Sequence, residues 1–322
     1  MQRPADPSAA SPDDTPEFSV IVTCYFEEQS IDEFHARLDA ALQSLERSYE
    51  IVFVNDGSRD GTLERLEAIF EKNTRVTAVV DLFANAGQAA AVTAGCVQAR
   101  GRKFVFIDSD LQLDPEDLPK LVARSDAGMD VVNGYRTDRR DPLLRRAASR
   151  LANGLARALS KSPVRDLGCT FKIVDGAIVR AFAPGPFKPL HAPSLVAAGG
   201  RVAEVPVAHH PRRYGTSGWT LRKLFAFNVH TLVDLSERPF QLLSLACFAG
   251  SVLLVLRVFA SALFPGSVLP EITNGLLLNA LAFSLLVVVG ILSVLGEYVI
   301  RSYVKLREQP AYIVRSLRTR GS

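Results

Sequence analysis

Two long apolar segments in the last third of the chain set the strongest limit on how it can fold. Phe240–Phe264 carries a single charge, Arg257 near its far end, and Leu276–Gly296 carries none. A helix needs roughly 20 apolar residues to cross the hydrocarbon core of a bilayer, and both segments exceed that. A pair of buried core helices is the alternative, although a soluble core seldom needs two such uninterrupted runs side by side. The connecting residues 265–274 contain no Lys or Arg. Arg222, Lys223 and Arg238 precede the first run, and Arg301, Lys305, Arg307, Arg315, Arg318 and Arg320 follow the second. Basic flanks stay on the cytoplasmic side. The expectation is therefore a transmembrane hairpin over residues 239–297, with the rest of the chain and both termini cytoplasmic. Arg257 would snorkel toward the far headgroups.

The flanks of the hairpin read accordingly. Trp219–Leu235 mixes aromatic, basic and apolar residues at helical spacing. That predicts an interfacial juxtamembrane helix within residues 216–238, with an ordinary amphipathic packing helix as the alternative. The basic tail, residues 298–322, suits a surface of anionic lipid. Of the 322 residues 48% are hydrophobic, and the excess is concentrated after Phe240. The net charge of +3 is too small to argue for nucleic acid as a partner, and no basic stripe interleaved with aromatics is present. Cys24, Cys96, Cys169 and Cys247 follow no CxxC or zinc spacing, as expected of unpaired thiols in a reducing compartment. Residues 1–16 are rich in Pro, Ser, Ala and Asp, lack an apolar signal-peptide core and read as a disordered leader.

Between leader and hairpin, residues 17–215 alternate β-rich runs with helical patterns. Strands are predicted at Phe18–Cys24, Tyr49–Asn55, Arg75–Asp81, Lys103–Ile107 and Asp130–Asn133, with helices at Ile31–Arg47, Asp60–Lys72, Gln88–Arg100 and Asp114–Ala123. This is the signature of an α/β domain with a mostly parallel sheet and helices on both faces. A basic helical stretch over 142–161, strands at Thr170–Val174 and Arg201–Val207, and a Pro/Gly-rich passage over 184–200 complete it.

Two acidic clusters follow strands directly: Asn55-Asp56-Gly57-Ser58 and Asp108-Ser109-Asp110. Ligands of open parallel sheets bind beyond the carboxyl ends of the strands, so both clusters belong to one functional edge. Each alone is weak, since an acidic turn after a strand is common and a bare DxD arises by chance. Paired carboxylates at such an edge suit a hard divalent cation, which typically takes one or two carboxylates plus phosphate oxygens and water. Asp110 is the better candidate for a direct ligand, assisted by Asp108. Asp56 can accept a hydrogen bond from a nucleobase N–H, or serve as a turn acid.

The runs IVTCYFEEQSI, FVNDGSRDGT, NAGQAAAVTAG and FIDSDLQLDPEDLP, followed by VVNGYRTDRRD, RDLGCTFK, HHPRRYGTSGW and LGEYVIRSYVKLREQPAYIV, together resemble the family 2 glycosyltransferases of the GT-A fold, and within them the polyprenyl-phosphate glycosyltransferases. The resemblance spans about residues 18–314. It implies nucleotide contacts from Tyr25 and Glu27, base recognition by Asp56, and a metal and diphosphate motif at Asp108 and Asp110 completed by Gln112. It also implies an element at Arg212 and Ser217 that closes over the diphosphate, which suits the bidentate phosphate binding of arginine.

Asp166 matches the acid often assigned near the acceptor. A phosphate monoester is largely dianionic at neutral pH and needs no general base, so positioning roles or a turn cap stay open for it. Arg136, Arg139, Arg140, Arg145 and Arg146 are candidates for the lipid phosphate, or form a solvated basic face. The chain departs from the family at Thr23 (usually Pro), Phe26 (usually Asn), Asn55 (usually Asp) and Gly218 (usually Lys).

The resulting expectation is an inverting, Mg²⁺- or Mn²⁺-dependent transfer of a sugar from a nucleotide-sugar, with UDP favoured over GDP. The resemblance implies as acceptor a polyprenyl phosphate, such as undecaprenyl phosphate, at the cytoplasmic surface of a bacterial inner or plasma membrane. The resemblance also allows a homo-oligomer assembled through the membrane helices. Another acceptor (glycan, protein or diacylglycerol) and a catalytically silent membrane scaffold are the alternatives. Retention of Asp56, Asp108 and Asp110 counts against the scaffold.

Overall fold

The computed structural model describes residues 15–137, 164–211, 213–214, 249–250, 252, 269–306 and 309–320. The chain divides into two compact units, Met1–Leu235 with Pro310–Ser322, and Ser236–Gln309.

The first unit is built on a sheet whose leading strand, β1 (Phe18–Cys24), is buried along its length. Its β-branched run points alternately to two cores: Val20 and Val22 to one, Ile21 to the other. A strand apolar on both faces needs cover on both faces. β2 (Tyr49–Asn55) and β4 (Lys103–Asp108) flank it in parallel, and β3 (Val76–Leu82) extends the parallel set beyond β2. On the other side β6 (Lys172–Asp175) runs antiparallel to β4, and β5 (Val131–Arg136) and β7 (Val202–Val207) follow. The order is β7-β5-β6-β4-β1-β2-β3-β8, with β8 (Val314–Thr319) antiparallel to β3. The sheet is thus mixed and mostly parallel.

Helices cover both faces, as the alternation requires. α1 (Ile31–Gln43) buries Ile31, Phe34, Leu38 and Leu42, spaced three to four residues apart, and shares its core with α2 (Thr62–Lys72) and α4 (Leu118–Asp126). On the opposite face lies α3 (Gln88–Gln98), whose Ala90, Ala91 and Ala94 sit tight against the sheet. A Cβ at Gly95 would stand 2.5 Å from Ile21 Cγ2 and 3.0 Å from Val54 Cγ2. The small side chains of α3 are therefore the condition for its close approach. Two short helices follow β6, α5 (Gly176–Ala181) just ahead of the Pro/Gly-rich passage and α6 (Ala192–Ala198) within it, the first capped by Asp175, whose carboxylate accepts from the Ala177 N–H at 2.7 Å.

Two departures from the sequence reading have local causes. The helix expected at Asp114–Ala123 begins as a 3₁₀ turn over Pro115–Asp117, because Pro115 and Pro119 suit only helix starts, and continues to Asp126. The basic tail supplies strand β8, which no apolar run announces: it is exposed at every position, its backbone pairs with β3, and its Arg315 and Arg318 add side-chain ion pairs. The expected leader up to residue 14, the basic helix over 142–161 and the interfacial helix lie outside the described residues, as does the first apolar run apart from 249–250 and 252.

In the second unit the other apolar run forms part of α7 (Leu269–Leu306), a helix of 38 residues. Leu278, Leu285 and Leu292 are 73%, 65% and 61% exposed. Several side chains along α7 lie outside the described residues, and over the described residues alone no helix is long and apolar enough to cross a membrane.

Candidate active site

The carboxyl edge of the parallel strands gathers most of the describable candidates. β1 is the hinge of this arrangement. Its last residues pair with Asn55 on one side, and Thr23 pairs with Asp108 on the other. The Asp56 N–H donates to the Cys24 carbonyl at 2.9 Å, and the Ser109 hydroxyl to the Thr23 carbonyl at 2.9 Å. The two acidic clusters thus hang from neighbouring residues of one strand end.

Asp108 and Asp110 are both half-buried. Asp108 Oδ1 accepts from the Thr23 hydroxyl at 2.9 Å, and Gln88 Nε2 lies 2.8 and 3.0 Å from its two oxygens. Thr23, the family departure, therefore works as a donor that fixes the Asp108 rotamer. Asp110 Oδ1 accepts from the Gln112 N–H at 3.1 Å, with Leu111 between them at φ +57°. A branched residue in the left-handed region is uncommon and strained, and here it turns the loop back on Asp110. Gln112 in turn holds the later segment: its carbonyl accepts from the His210 N–H at 2.8 Å, and Leu113 bridges His209. His210 Nε2 lies 2.8 Å from Asp114, which Arg37 also contacts at 2.6 Å. Burial pushes the Asp114 carboxyl up, but the His210 and Arg37 hydrogen bonds outweigh it and hold the group below the usual range. Arg212 and Ser217 lie outside the described residues, as do Arg139, Arg140, Arg145 and Arg146.

Asp56 is 4% exposed, and its carboxylate organises a loop. It accepts from the Ala86 N–H at 2.7 Å, the Gly87 N–H at 3.1 Å and Asn85 Nδ2 at 3.0 Å. Burial raises its pKa, and the two backbone N–H groups draw it back down only in part. Gly57 is indispensable beside it. Its φ is +69°, and a Cβ there would meet the Ala84 carbonyl carbon at 2.4 Å.

The close approach of residues 57 and 84 frames a cavity of about 340 Å³, lined by Tyr25, Phe26, Gly57, Arg59, Phe83, Ala84, Asn85 and Arg315. Tyr25 lies in it as expected, its ring edge-on to that of Phe26 at 4.5 Å. Glu27 sits deeper. It is 4% exposed, with its carboxylate accepting from the Ser30 hydroxyl at 2.5 Å at the start of α1.

Asp166 is 6% exposed and pairs with Arg136 at two points, Nε to Oδ2 at 2.7 Å and Nη2 to Oδ1 at 2.8 Å. Lys172 on β6 is fully buried, with no hydrogen-bond partner for its Nζ. Burial lowers it to about 8, against the pull of nearby groups that include Asp166 and Asp108. Among the described residues no three His, Cys, Asp or Glu side chains cluster as metal ligands. The donor set on offer is the carboxylate pair Asp108 and Asp110, which fits a hard cation completed by phosphate oxygens and water.

The profile of the family described as glycosyl transferase family 2 matches residues 19–182. The chain belongs to glycosyltransferase family 2. The family match covers β1 to β6 and so contains Asp56, Asp108, Asp110 and Asp166. Relatives similar along nearly the whole chain include the undecaprenyl-phosphate 4-deoxy-4-formamido-L-arabinose transferase of Pseudomonas paraeruginosa, 35% identical over 92% of this chain and 88% of the relative. The enzyme of the same name from Edwardsiella ictaluri is 34% identical over 93% of each chain. Among solved structures, glucosyl-3-phosphoglycerate synthase from Mycobacterium tuberculosis, in complex with Mn²⁺, UDP and phosphoglyceric acid, is similar with a TM-score of 0.50. It is 21% identical and covers 68% of this chain and 78% of that one. That likeness shows the GT-A fold expected of a family 2 glycosyltransferase.

Sequence reasoning about this glycosyltransferase missed Gln88, Arg59, Phe83, Asn85 and Arg315. Gln88 and Asn85 stand in the NAGQ run beside the third strand, which a search for donors facing the two acidic clusters would have reached. Arg315 carries no local signal at all.

Proposed function

We propose that this glycosyltransferase moves a sugar from a UDP-linked donor to a polyprenyl phosphate, such as undecaprenyl phosphate, at the cytoplasmic face of a membrane, with inversion at the anomeric carbon. The observation that carries the reading is the suspension of both acidic clusters from the end of β1, which sets a base-sized cavity and a carboxylate pair along one edge. The names of the relatives supply the acceptor class.

In this reading a phosphate oxygen of the acceptor attacks the anomeric carbon, the bond from that carbon to the diphosphate oxygen breaks, and UDP leaves with the bonding electrons. Asp108 and Asp110 would hold a divalent cation, Mg²⁺ or Mn²⁺, which when bound supplies positive charge for the departing diphosphate. Thr23 and Gln88 hold Asp108 in place before substrate arrives, the kind of preorganisation that lowers a barrier. The dianionic acceptor needs no proton removed. Asp166 is then a positioning residue that fixes the Arg136 guanidinium rather than a base.

The membrane hairpin over residues 239–297 belongs to the same proposal. It is supported by the uncharged run 276–296 within α7 and by the return of the chain at residue 310 to the unit it left at 235. A chain that leaves and rejoins one domain crosses a bilayer an even number of times. The bilayer and a homo-oligomer through these helices are partners in this reading, and proximity of lipid phosphate to the edge of the sheet adds to the rate.

The test is incubation of the purified full-length protein with undecaprenyl phosphate and a panel of nucleotide-sugars, followed by mass spectrometry. A polyprenyl-phosphate sugar formed from one UDP-sugar is the expected product. Sugar transferred only to a glycan, protein or diacylglycerol acceptor would overturn the acceptor assignment.

A further inference from the structure

We infer that Arg315, on the last strand of the sheet, is a specificity residue for the donor nucleotide and contacts its base. The inference rests on the nucleotide-sugar reading above and names a residue and a strand that the reading does not use. The cavity beside Asp56 is framed by three exposed aromatic rings, Tyr25, Phe26 and Phe83, at 42%, 47% and 56% exposure. Its volume lies within the range of small-molecule sites, roughly 300–1,000 Å³. Exposed rings around a polar backbone suit a flat heterocycle, since bases stack on aromatic faces. The carboxylate pair Asp108 and Asp110 is not part of its lining, so the cavity takes the end of the donor away from the diphosphate.

Arg315 is brought there by pairing, not by sequence proximity. β8 runs antiparallel to β3 with Asp81 opposite Ser316 and Leu82 opposite Val314, which sets residue 315 beside the carboxyl end of β3. Its guanidinium lies 5.4 Å from the Phe83 ring centroid, donates to the Phe83 carbonyl at 2.7 Å, and stands 3.5 Å from Asp81 Oδ2. Asp81 is fully buried, and that oxygen has no hydrogen-bond partner, so the ion pair holds Arg315 in a fixed orientation. The side chain nevertheless remains 46% exposed and lines the cavity. Arginine offers donors only. A held guanidinium at the mouth of an aromatic cavity therefore selects a base with carbonyl acceptors, as in uracil, over adenine, which has none.

The experiment is UDP and ADP binding by calorimetry, together with donor KM and kcat, on the full-length protein and on Arg315→Ala, Arg315→Lys and Arg318→Ala. Arg318 lies on the same strand but pairs with Glu67 and Glu71 outside the cavity, so it controls for strand docking. Arg315→Ala is expected to weaken UDP binding and raise donor KM tenfold or more, with kcat changed less than about threefold. Arg315→Lys should recover part of the loss, as a charge-assisted donor would. Arg318→Ala should bind UDP as the parent does, and the parent should prefer UDP to ADP by a margin that Arg315→Ala narrows. Hydrogen exchange over 314–319 should be unchanged in Arg315→Ala. Unchanged UDP binding in Arg315→Ala would overturn the inference while leaving the donor reading intact, and so would a loss that tracks lost protection of β8. A parent that binds no UDP, or that transfers from a GDP-sugar alone, would overturn the donor reading instead.

Discussion

Two sets of carboxylates at opposite ends of one sheet are held in different ways. At the amino end Glu50, 1% exposed, is closed in by partners: the Ser19 hydroxyl at 2.5 Å, the Arg100 N–H at 2.6 Å and the Thr77 hydroxyl at 3.1 Å. The Gly101 N–H completes the knot on Ser19 at 2.6 Å. At the carboxyl end Asp108 and Asp110 are held by a few donors but stay half-buried. Backbone strain divides the same way. Gly128 adopts positive φ where it ends α4, a common and inexpensive helix stop, and Glu46 does so in the turn just beyond α1. Phe26 and Leu111 adopt it in the carboxyl-edge loops, where no helix ends and the residue type disfavours it. The contrast teaches that the amino end is built for stability alone, while the carboxyl end gives up some stability to keep oxygen atoms and aromatic rings accessible.

Four substitutions can break or sharpen that contrast. Asp110→Ala should lower sugar transfer by about a thousandfold, roughly 4 kcal/mol of barrier, while the thermal midpoint shifts little; transfer at the parent rate with unchanged metal dependence would remove Asp110 from the chemistry. Glu50→Ala should do the reverse. Stranding the Ser19, Arg100 and Thr77 donors costs about 3 kcal/mol in urea unfolding, and the protein that remains folded should transfer sugar at the parent rate. Asp56→Asn offers one acceptor oxygen where two serve the 85–87 loop, so donor KM should rise about tenfold, roughly 1.4 kcal/mol. A change in kcat alone would argue that Asp56 acts on the reacting atoms.

Lys172→Met is the smallest effect. With a folded pKa near 8 against an ordinary value of 10.5, the unfolded chain binds more protons between those limits, so parent stability rises with pH across that window. Below it the buried ammonium destabilises the fold. Lys172→Met should raise the melting temperature at pH 7 by a few degrees, worth about 1 kcal/mol, and flatten the rise between about pH 8 and 10.5. Parallel pH profiles for the two proteins would refute the assignment.

Legibility in the sequence followed burial. β1 and β2 were read to their end residues, and β3 and β4 to within one, because each carries a mostly apolar run that only a two-sided core explains. Asp56, Asp108 and Asp110 were legible because each stands where such a run stops. The partners that tune them were not: Thr23 to Asp108 spans 85 positions, and no local pattern encodes it. α5, just ahead of the Pro/Gly-rich passage, and α6 within it were not read, because six or seven residues are too few to display a helical period. β8 was invisible for the opposite reason to β1. Its residues are exposed on both faces, and its alternation of arginine with small and apolar residues reads as a lipid-facing tail.

The place of β8 in the chain also sets an order of assembly. Seven strands of the sheet are synthesised before residue 208, and the eighth only after the long apolar stretch has left the ribosome. Until then the outer backbone edge of β3, at Ala78 to Leu82, has no neighbour to cover it. The nascent enzyme therefore carries an open strand edge, a site for misassociation, throughout the time its long apolar stretch is being made. A chain truncated after α7 should express as an aggregation-prone protein even though every acid of the candidate site has been made.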